Sequence, residues 1–341
     1  MRNICRRVTI APLFALFAAF AQVPRIAPLV DAQEPTVTDF EVVQVRPNFY
    51  MIAGAGGNIA VQLGPIGAIV VDTGSEAMSP NVQAAIKRLT NGSIRYIVNT
   101  GADADHTGGN ERLSKSGKTI LGSVGSAGVS EDAYTNGGAA SVLAHENVLA
   151  RMSAPTPQGR SMAATLWPSK TYSGRSYSMT LNGDAVQVLH MPAAHADGDS
   201  VVFFHRADVI VTGDILDTRR FPVIETVKGG SIQGELNALN RIVDLTVPPF
   251  PLAFQEDRTY VVPGHGFLCD FYDVVEYRSM LLVMRDRIDD SIGKGMTLQQ
   301  VKAADPTKGF RQRYGAETGP WTTDMFVEAV YTSLTAARPR P

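Results

Sequence analysis

Three of the six histidines in this 341-residue chain, His106, His195 and His265, stand where an apolar run breaks into a glycine-containing loop, and Asp214 occupies a fourth such place. The surrounding words are Asp105-His106-Thr107-Gly108-Gly109, Pro192-Ala193-Ala194-His195-Ala196-Asp197-Gly198-Asp199, Thr212-Gly213-Asp214 and Pro263-Gly264-His265-Gly266. Imidazole and carboxylate are the donors that zinc favours. Loops at strand ends can converge on one edge of a sandwich, so residues distant in sequence can share a cation there. Taken singly, each residue has an ordinary use: a histidine after a strand is usually hydrogen-bonded or solvated, and an aspartate in a turn satisfies backbone amides. The joint pattern of four such words points to a metal pocket. His145, His190 and His205 lack these surroundings, and structural or surface roles are expected for them.

Hydrophobic periodicity shows the elements that must carry these loops. Short β-branched runs at 40–45, 49–53, 58–63 and 68–71, separated by glycine and proline turns, predict hairpin-connected strands. Ser79-Pro80 opens a helix through 89, and 94–98 is a strand that runs into the segment 99–110. The stretch 129–152 reads as helix over much of its length. The stretch 153–173, rich in proline, glycine and serine and carrying Trp167, reads as a loop over the site. Strands resume at 178–181, 185–190, 200–204 and 208–211, then a helix at 231–245, a strand at 260–262, and helices near 274–292, 298–304 and 325–336. Two strand-rich halves, each trailing helices, predict an α/β fold: a four-layer αβ/βα sandwich of two mixed β-sheets flanked by helices.

An apolar fraction of 44% and a charged fraction of 19% supply a core without cross-links, and a net charge of -2 offers no basic field for nucleic acid. Arg2, Arg6 and Arg7 precede an apolar run at 8–20, the pattern of an export signal cleaved near Gln22 or Gln33; an uncleaved anchor is the alternative. The expected location is therefore periplasmic or secreted, with membrane contact only through the signal. Cys5 lies in that signal and leaves Cys269 alone, which excludes an intramolecular disulfide in the mature chain. The expected division is a signal and linker over 1–32, a main domain over 33–310 and a C-terminal helical extension over 311–341.

The order and context of the four words resemble the metallo-β-lactamase superfamily over roughly 40–267. That family's first loop normally reads His-x-His-x-Asp-His followed by Gly-Gly, whereas this chain has Gly101 and Asp103 in place of the first two histidines. The resemblance makes His195 the next metal-binding histidine, Asp214 the carboxylate between two metals and His265 the final histidine. It also makes Asp72, in Val71-Asp72-Thr73-Gly74, a brace for the metal loop through hydrogen bonds.

One ligand set, Asp105, His106, His265 and Asp214, is complete. The other keeps only Asp103 and His195 beside Asp214, and the aspartate shifts preference toward harder cations such as manganese or magnesium. The expectation is one firmly held zinc and a weak or absent second metal. Asp103-x-Asp105-x-Thr107-Gly108 also mimics the start of a calcium loop, but Ser114 stands where that loop needs its closing glutamate. Gly108-Gly109 is expected to allow close backbone approach to the pocket. Helix starts near Asn110 and at Ser231 offer amides to an anion, with plain capping the expected use at Ser231.

The implied activity is hydrolysis of a small ester-, thioester-, lactone- or lactam-like bond by metal-activated water. In it Asp103 orients or deprotonates the water, His195 binds substrate or acts as a general acid/base, and Asp105, a metal ligand, is counted with them as catalytic. A non-catalytic, metal- or ligand-binding member of the same fold is the alternative. Oligomeric state is not written in these patterns.

Overall fold

Alternating side chains sort the strands into two sheets and set which face each residue covers. In this computed structural model, residues 40–120, 138–155, 161–249 and 258–338 are described; the export signal expected over 1–32 lies outside them. Among the described residues the first sheet has seven strands in sequence order: β1 (Glu41–Arg46), β2 (Phe49–Ala53), β3 (Ile59–Gln62), β4 (Ala68–Val71), β5 (Ile94–Val98), β6 (Ser141–His145) and β7 (Lys170–Tyr172). Pairing is antiparallel from β1 to β4 and parallel from β4 to β7. The second sheet runs β12 (Tyr260–Val262), β11 (Val209–Val211), β10 (Ser200–Phe204), β9 (Asp184–His190) and β8 (Ser176–Leu181), with only β11 and β12 parallel.

Successive residues of one strand enter different cores, as the two-residue repeat of a strand requires. On β4, Ile69 and Val71 meet the second sheet, while Ala68 and Val70 face α1 (Ser79–Leu89) and Leu113. On β10, Val202 and Phe204 point to the first sheet, and Val201 and Phe203 point to α5 (Ile232–Leu245), α6 (Phe271–Gly293) and α9 (Thr323–Ala337). The layers are helix, sheet, sheet, helix, as the sequence predicts. Phe326, Val327 and Val330 of α9 are buried in the same cluster as Leu239 of α5 and Leu281 of α6. The short α7 (Leu298–Ala303) and α8 (Arg311–Tyr314) connect α6 to α9. No helix among the described residues is long and apolar enough to cross a membrane.

Two expectations fail, one at an apolar run whose periodicity is ambiguous and one at a three-residue strand that carries little pattern. Residues 129–137 of the stretch read as helix lie outside the described residues; of its described part, 141–145 form β6, whose Val142, Leu143 and Ala144 are buried between neighbouring strands and on both faces, and Glu146–Ser153 is helical (α4). Within the stretch read as loop, β7 adds an edge strand and buries Tyr172 against the sandwich core, where its hydroxyl meets that of Ser200 at 2.8 Å. The Trp167 segment packs with Met162 and Leu166 on Val148 and Met152, beside Ala102 of the histidine-bearing loop.

Between the sheets, Phe49 and Phe204 are fully buried and meet edge to face, 4.9 Å between ring centroids. Phe204→Ala is expected to cost about 3–5 kcal/mol of unfolding free energy. Denaturant titration that found a loss below about 1 kcal/mol would show that this contact does not hold the sheets together.

Candidate metal centre

The carboxyl ends of β4, β5, β9, β11 and β12 lie at one edge of the sandwich; the four words singled out in the sequence leave β5, β9, β11 and β12, and Asp72 follows β4. Backbone bonds tie these loops across the two sheets. Ser200 N–H donates to Thr100 O at 2.8 Å, Asn58 N–H to Gly264 O at 2.7 Å, and Gly57 N–H to Asp105 O at 3.0 Å. The Asn58 side chain adds bonds to the carbonyls of Pro263 and Gly266 at 2.9 and 3.1 Å, so the β2–β3 hairpin clamps the His265 loop. α2 (Ala104–Thr107) is a single turn that presents Asp105 and His106 on adjacent residues. α3 (Asn110–Ser116) follows it, with Asn110 bonded to Thr73, Asn99 and Leu166 O.

All six residues expected to bind metal come together. Asp214 stands at the centre: its Oδ1 lies 3.0 Å from His106 Nε2 and 3.2 Å from His265 Nε2, and its Oδ2 lies 3.9 Å from His195 Nε2. Asp105 Oδ2 is 3.2 Å from His265 Nε2, and Asp103 Oδ2 is 2.9 Å from His195 Nε2. Asp105, His106 and His265 each offer a ligand atom within 4.8 Å of the others, and so do Asp103, His195 and Glu225. Either group could hold a cation.

The first set fits a metal on its own geometry. With bonds of about 2.0–2.1 Å, neighbouring donors of a tetrahedral zinc stand about 3.3 Å apart, close to the spacings around Asp214 Oδ1. His106 Nδ1 lies 2.8 Å from Asp72 Oδ2, which fixes the ring and turns Nε2 toward the cluster. Asp72 is itself pinned by the amide and hydroxyl of Thr100, at 2.8 and 2.6 Å. His195 Nδ1 is held by Val223 O at 2.8 Å, whereas the buried His265 Nδ1 has no partner among the described residues. A Cβ on Gly57 would stand 2.6 Å from the His106 ring, so this position admits only glycine if the imidazole keeps its place.

Gly101 offers no ligand atom, and a Cβ built there meets nothing nearer than Asp199 Oδ1 at 3.9 Å. The glycines after His106 serve packing more than the pocket: side chains on Gly108 and Gly109 would strike the backbones of Glu76 and Thr73 at 2.4 and 2.5 Å. Ser231 caps α5 by accepting from Gly234 N–H at 2.9 Å. His145 caps α4 and stacks on His190 at 3.7 Å.

The sequence reading missed Glu225, Lys228 and Glu235. Lys228 Nζ lies 2.9 Å from Asp103 Oδ1 and forms an ion pair with Glu225. Glu235 of α5 is fully buried, and neither carboxylate oxygen has a partner among the described residues. Its place in the first turn of a helix that follows the Gly229-Gly230-Ser231 word was the only signal in the sequence.

Burial opposes charge on every group here, and close pairing decides the outcome. For His106, burial works against the imidazolium, but Asp214 and Asp72 outweigh it and the pKa is held well above the ordinary value. His195 rises well above it too, through Asp103 and Asp214, and His265 rises through Asp105 and Asp214, again against burial. Burial would raise Asp214 and Asp103, yet the imidazoles win: Asp214 falls well below the carboxylate range and Asp103 falls to about 2. Asp105 is lowered mainly by His265. Asp199, by contrast, is pushed up to about 7 by burial, and burial lifts Glu235 well above its ordinary value.

These shifts fix how the metal-free chain responds to pH. The raised histidines contribute stability that is complete below their unfolded pKa of 6.5 and is lost as pH rises through their folded values. Asp199 acts with the same sign up to about 7. The lowered aspartates contribute above 3.8 and lose this only as pH falls through their depressed values. The melting temperature of chelator-treated protein should therefore fall as pH rises from 6.5, and zinc should lessen that fall by taking the place of the protons on His106 and His265. A chelated sample whose melting temperature climbs over that range would contradict the assignment of charge.

Comparison with known proteins agrees with the fold. A sequence profile described as the Metallo-beta-lactamase superfamily matches residues 54–265. A metallo-beta-lactamase from Pontibacter korlensis superposes with a TM-score of 0.52 at 16% identity, covering 72% of this chain and 99% of its own. The stereoselective inverting sec-alkylsulfatase Pisa1 from Pseudomonas sp. superposes with a TM-score of 0.57 at 15% identity, covering 89% of this chain and 52% of its own, so this chain spans about half of that enzyme's length. DIM-1 metallo-beta-lactamase gives 0.50 at 15% identity over 71% of this chain and 97% of its own. No curated protein matches in sequence. With the profile spanning more than half of its residues, the chain belongs to the metallo-beta-lactamase superfamily.

Proposed function

We propose that the chain is an exported metal-dependent hydrolase that holds one zinc firmly on Asp105, His106, Asp214 and His265. Its substrate carries a small ester-, thioester-, lactone- or lactam-like bond. The observation that carries this reading is the convergence of His106 Nε2 and His265 Nε2 on one oxygen of Asp214, at 3.0 and 3.2 Å, with Asp105 3.2 Å from the same His265 nitrogen. A divalent cation bound there supplies Lewis acidity, lowering the pKa of a nearby water and balancing charge on the departing group.

The protein's own groups then divide the remaining work. Asp105 is the most open carboxylate of the cluster, its side chain 42% exposed, and is placed to orient the attacking water and accept its proton. His195, fixed by Val223 O at Nδ1, shares its Nε2 proton with Asp103 and gives it to the leaving group by breaking that bond. Asp103 has both oxygens engaged, by His195 and Lys228, so its part is to hold these two groups in place. Export supports a substrate met outside the cytoplasm. The lactamase and sulfatase relatives in fold differ in the bonds they cleave, so the fold does not choose among bonds.

Elemental analysis combined with chromogenic lactam, lactone, thioester, phosphodiester and sulfate ester substrates tests the reading. Zinc with turnover on an acyl substrate is expected, and chelation should abolish both. Metal without turnover on any of them would favour a binding module, and protein that stays metal-free in excess zinc would end the proposal. Asp103→Ala and His195→Ala should each lower kcat by about 10²-fold or more while leaving the first zinc bound. Unchanged turnover would remove these residues from the mechanism.

A further inference from the structure

We propose that the ammonium group of Lys228 replaces a second metal ion, closing the cation position formed by Asp103, His195 and Glu225 so that the chain holds a single divalent ion. This rests on the metal centre proposed for Asp105, His106, Asp214 and His265. The position is a built one: one donor atom from each of Asp103, His195 and Glu225 lies within 4.8 Å of the other two, and Asp214 Oδ2 faces it 3.9 Å from His195 Nε2. These are donors enough for a cation even without side-chain ligands at Gly101. Yet Lys228 Nζ already pairs with both carboxylates, 2.9 Å from Asp103 Oδ1 and in an ion pair with Glu225.

The lysine is placed there by its backbone. Glu225 N–H donates to His195 O at 2.9 Å, Lys228 N–H to Glu225 O at 2.8 Å, and Asp197 N–H to Lys228 O at 3.0 Å. The single helical turn 226–228 is thereby sewn to the His195 loop, and it ends at Gly229, whose φ of 86° turns the chain away toward α5. A compact ammonium delivers one positive charge where a divalent ion would deliver two, and its presence repels any cation that approaches the same oxygens. The loss of imidazole at Gly101 and of a second at Asp103 is then matched by a gain at Lys228. The carboxylates of the cluster remain neutralised, with the lysine charge covalently fixed and independent of metal supply.

The test counts zinc. The full chain is stripped with chelator, titrated with zinc chloride in a calorimeter, desalted and assayed for metal. The wild-type chain should bind one zinc and Lys228→Met two, with a second binding event that Lys228→Arg, which keeps the charge, does not show. Lys228→Gln provides the same reading if circular dichroism shows Lys228→Met to be misfolded. A Lys228→Met/Gly101→His double variant should bind its second zinc at least 10-fold more tightly than Lys228→Met, because an imidazole is regained. A wild-type chain with two ions, or neutral variants that stay at one, would overturn the role of Lys228 and leave the first centre standing. A wild-type chain that binds none would overturn that centre, and this inference with it.

Discussion

A carboxylate withdrawn from water among imidazoles is the constraint on which the site depends. Asp214 sits on the short turn after β11, one oxygen against His106 and His265 and the other toward His195. Such a charge is tolerated in a protein interior only when positive groups stand close enough to compensate desolvation. Those groups come from three other loops, so the carboxylate and the convergence of the loops are conditions for each other. In the absence of metal, protons on the imidazoles meet the condition; a divalent cation meets it with the same atoms.

The rest of the edge serves to keep that geometry. Asp72, held by Thr100, orients His106. Asn58 fastens the His265 loop to a hairpin of the other sheet. Gly57 lets the same hairpin lie against the His106 ring. Each contact links residues that belong to different strands, and the sheets below them are locked by interdigitated cores on both faces. Rigid sheets with short connecting loops allow donors to be fixed within a few tenths of an ångström, as a metal centre needs.

The two halves of the cluster differ in chemistry. Around Asp105, His106 and His265 the donors are an open carboxylate and two imidazoles, a set suited to zinc. Around Asp103 and His195 the donors are richer in oxygen, and a lysine lies among them. The departures at Gly101 and Asp103 therefore belong to a rearranged charge balance, and the superfamily fold accommodates it without disturbing the strands beneath.

The strands that bear the site were readable because their patterns are local. A proline-opened helix at 79–89 and the runs 94–98, 200–204 and 260–262 have the same bounds in sequence and structure. The strands β6 and β7 were not readable, since an apolar run buried on both faces carries no period and an edge strand of three residues carries little pattern at all. The ligand words were legible because glycine-flanked histidine and aspartate at strand ends are uncommon and come in a set order. Glu225, Lys228 and Glu235 look in sequence like ordinary charged residues of a turn and a helix. Their charge, partners and burial depend on which loop folds over them, and that is a property of three-dimensional neighbours. The sequence by itself thus determined the sandwich and the candidate donors, because periodicity and residue type are written residue by residue; only the tertiary structure decided which charge answers which, because electrostatic pairing depends on distance in space and not on position in the chain.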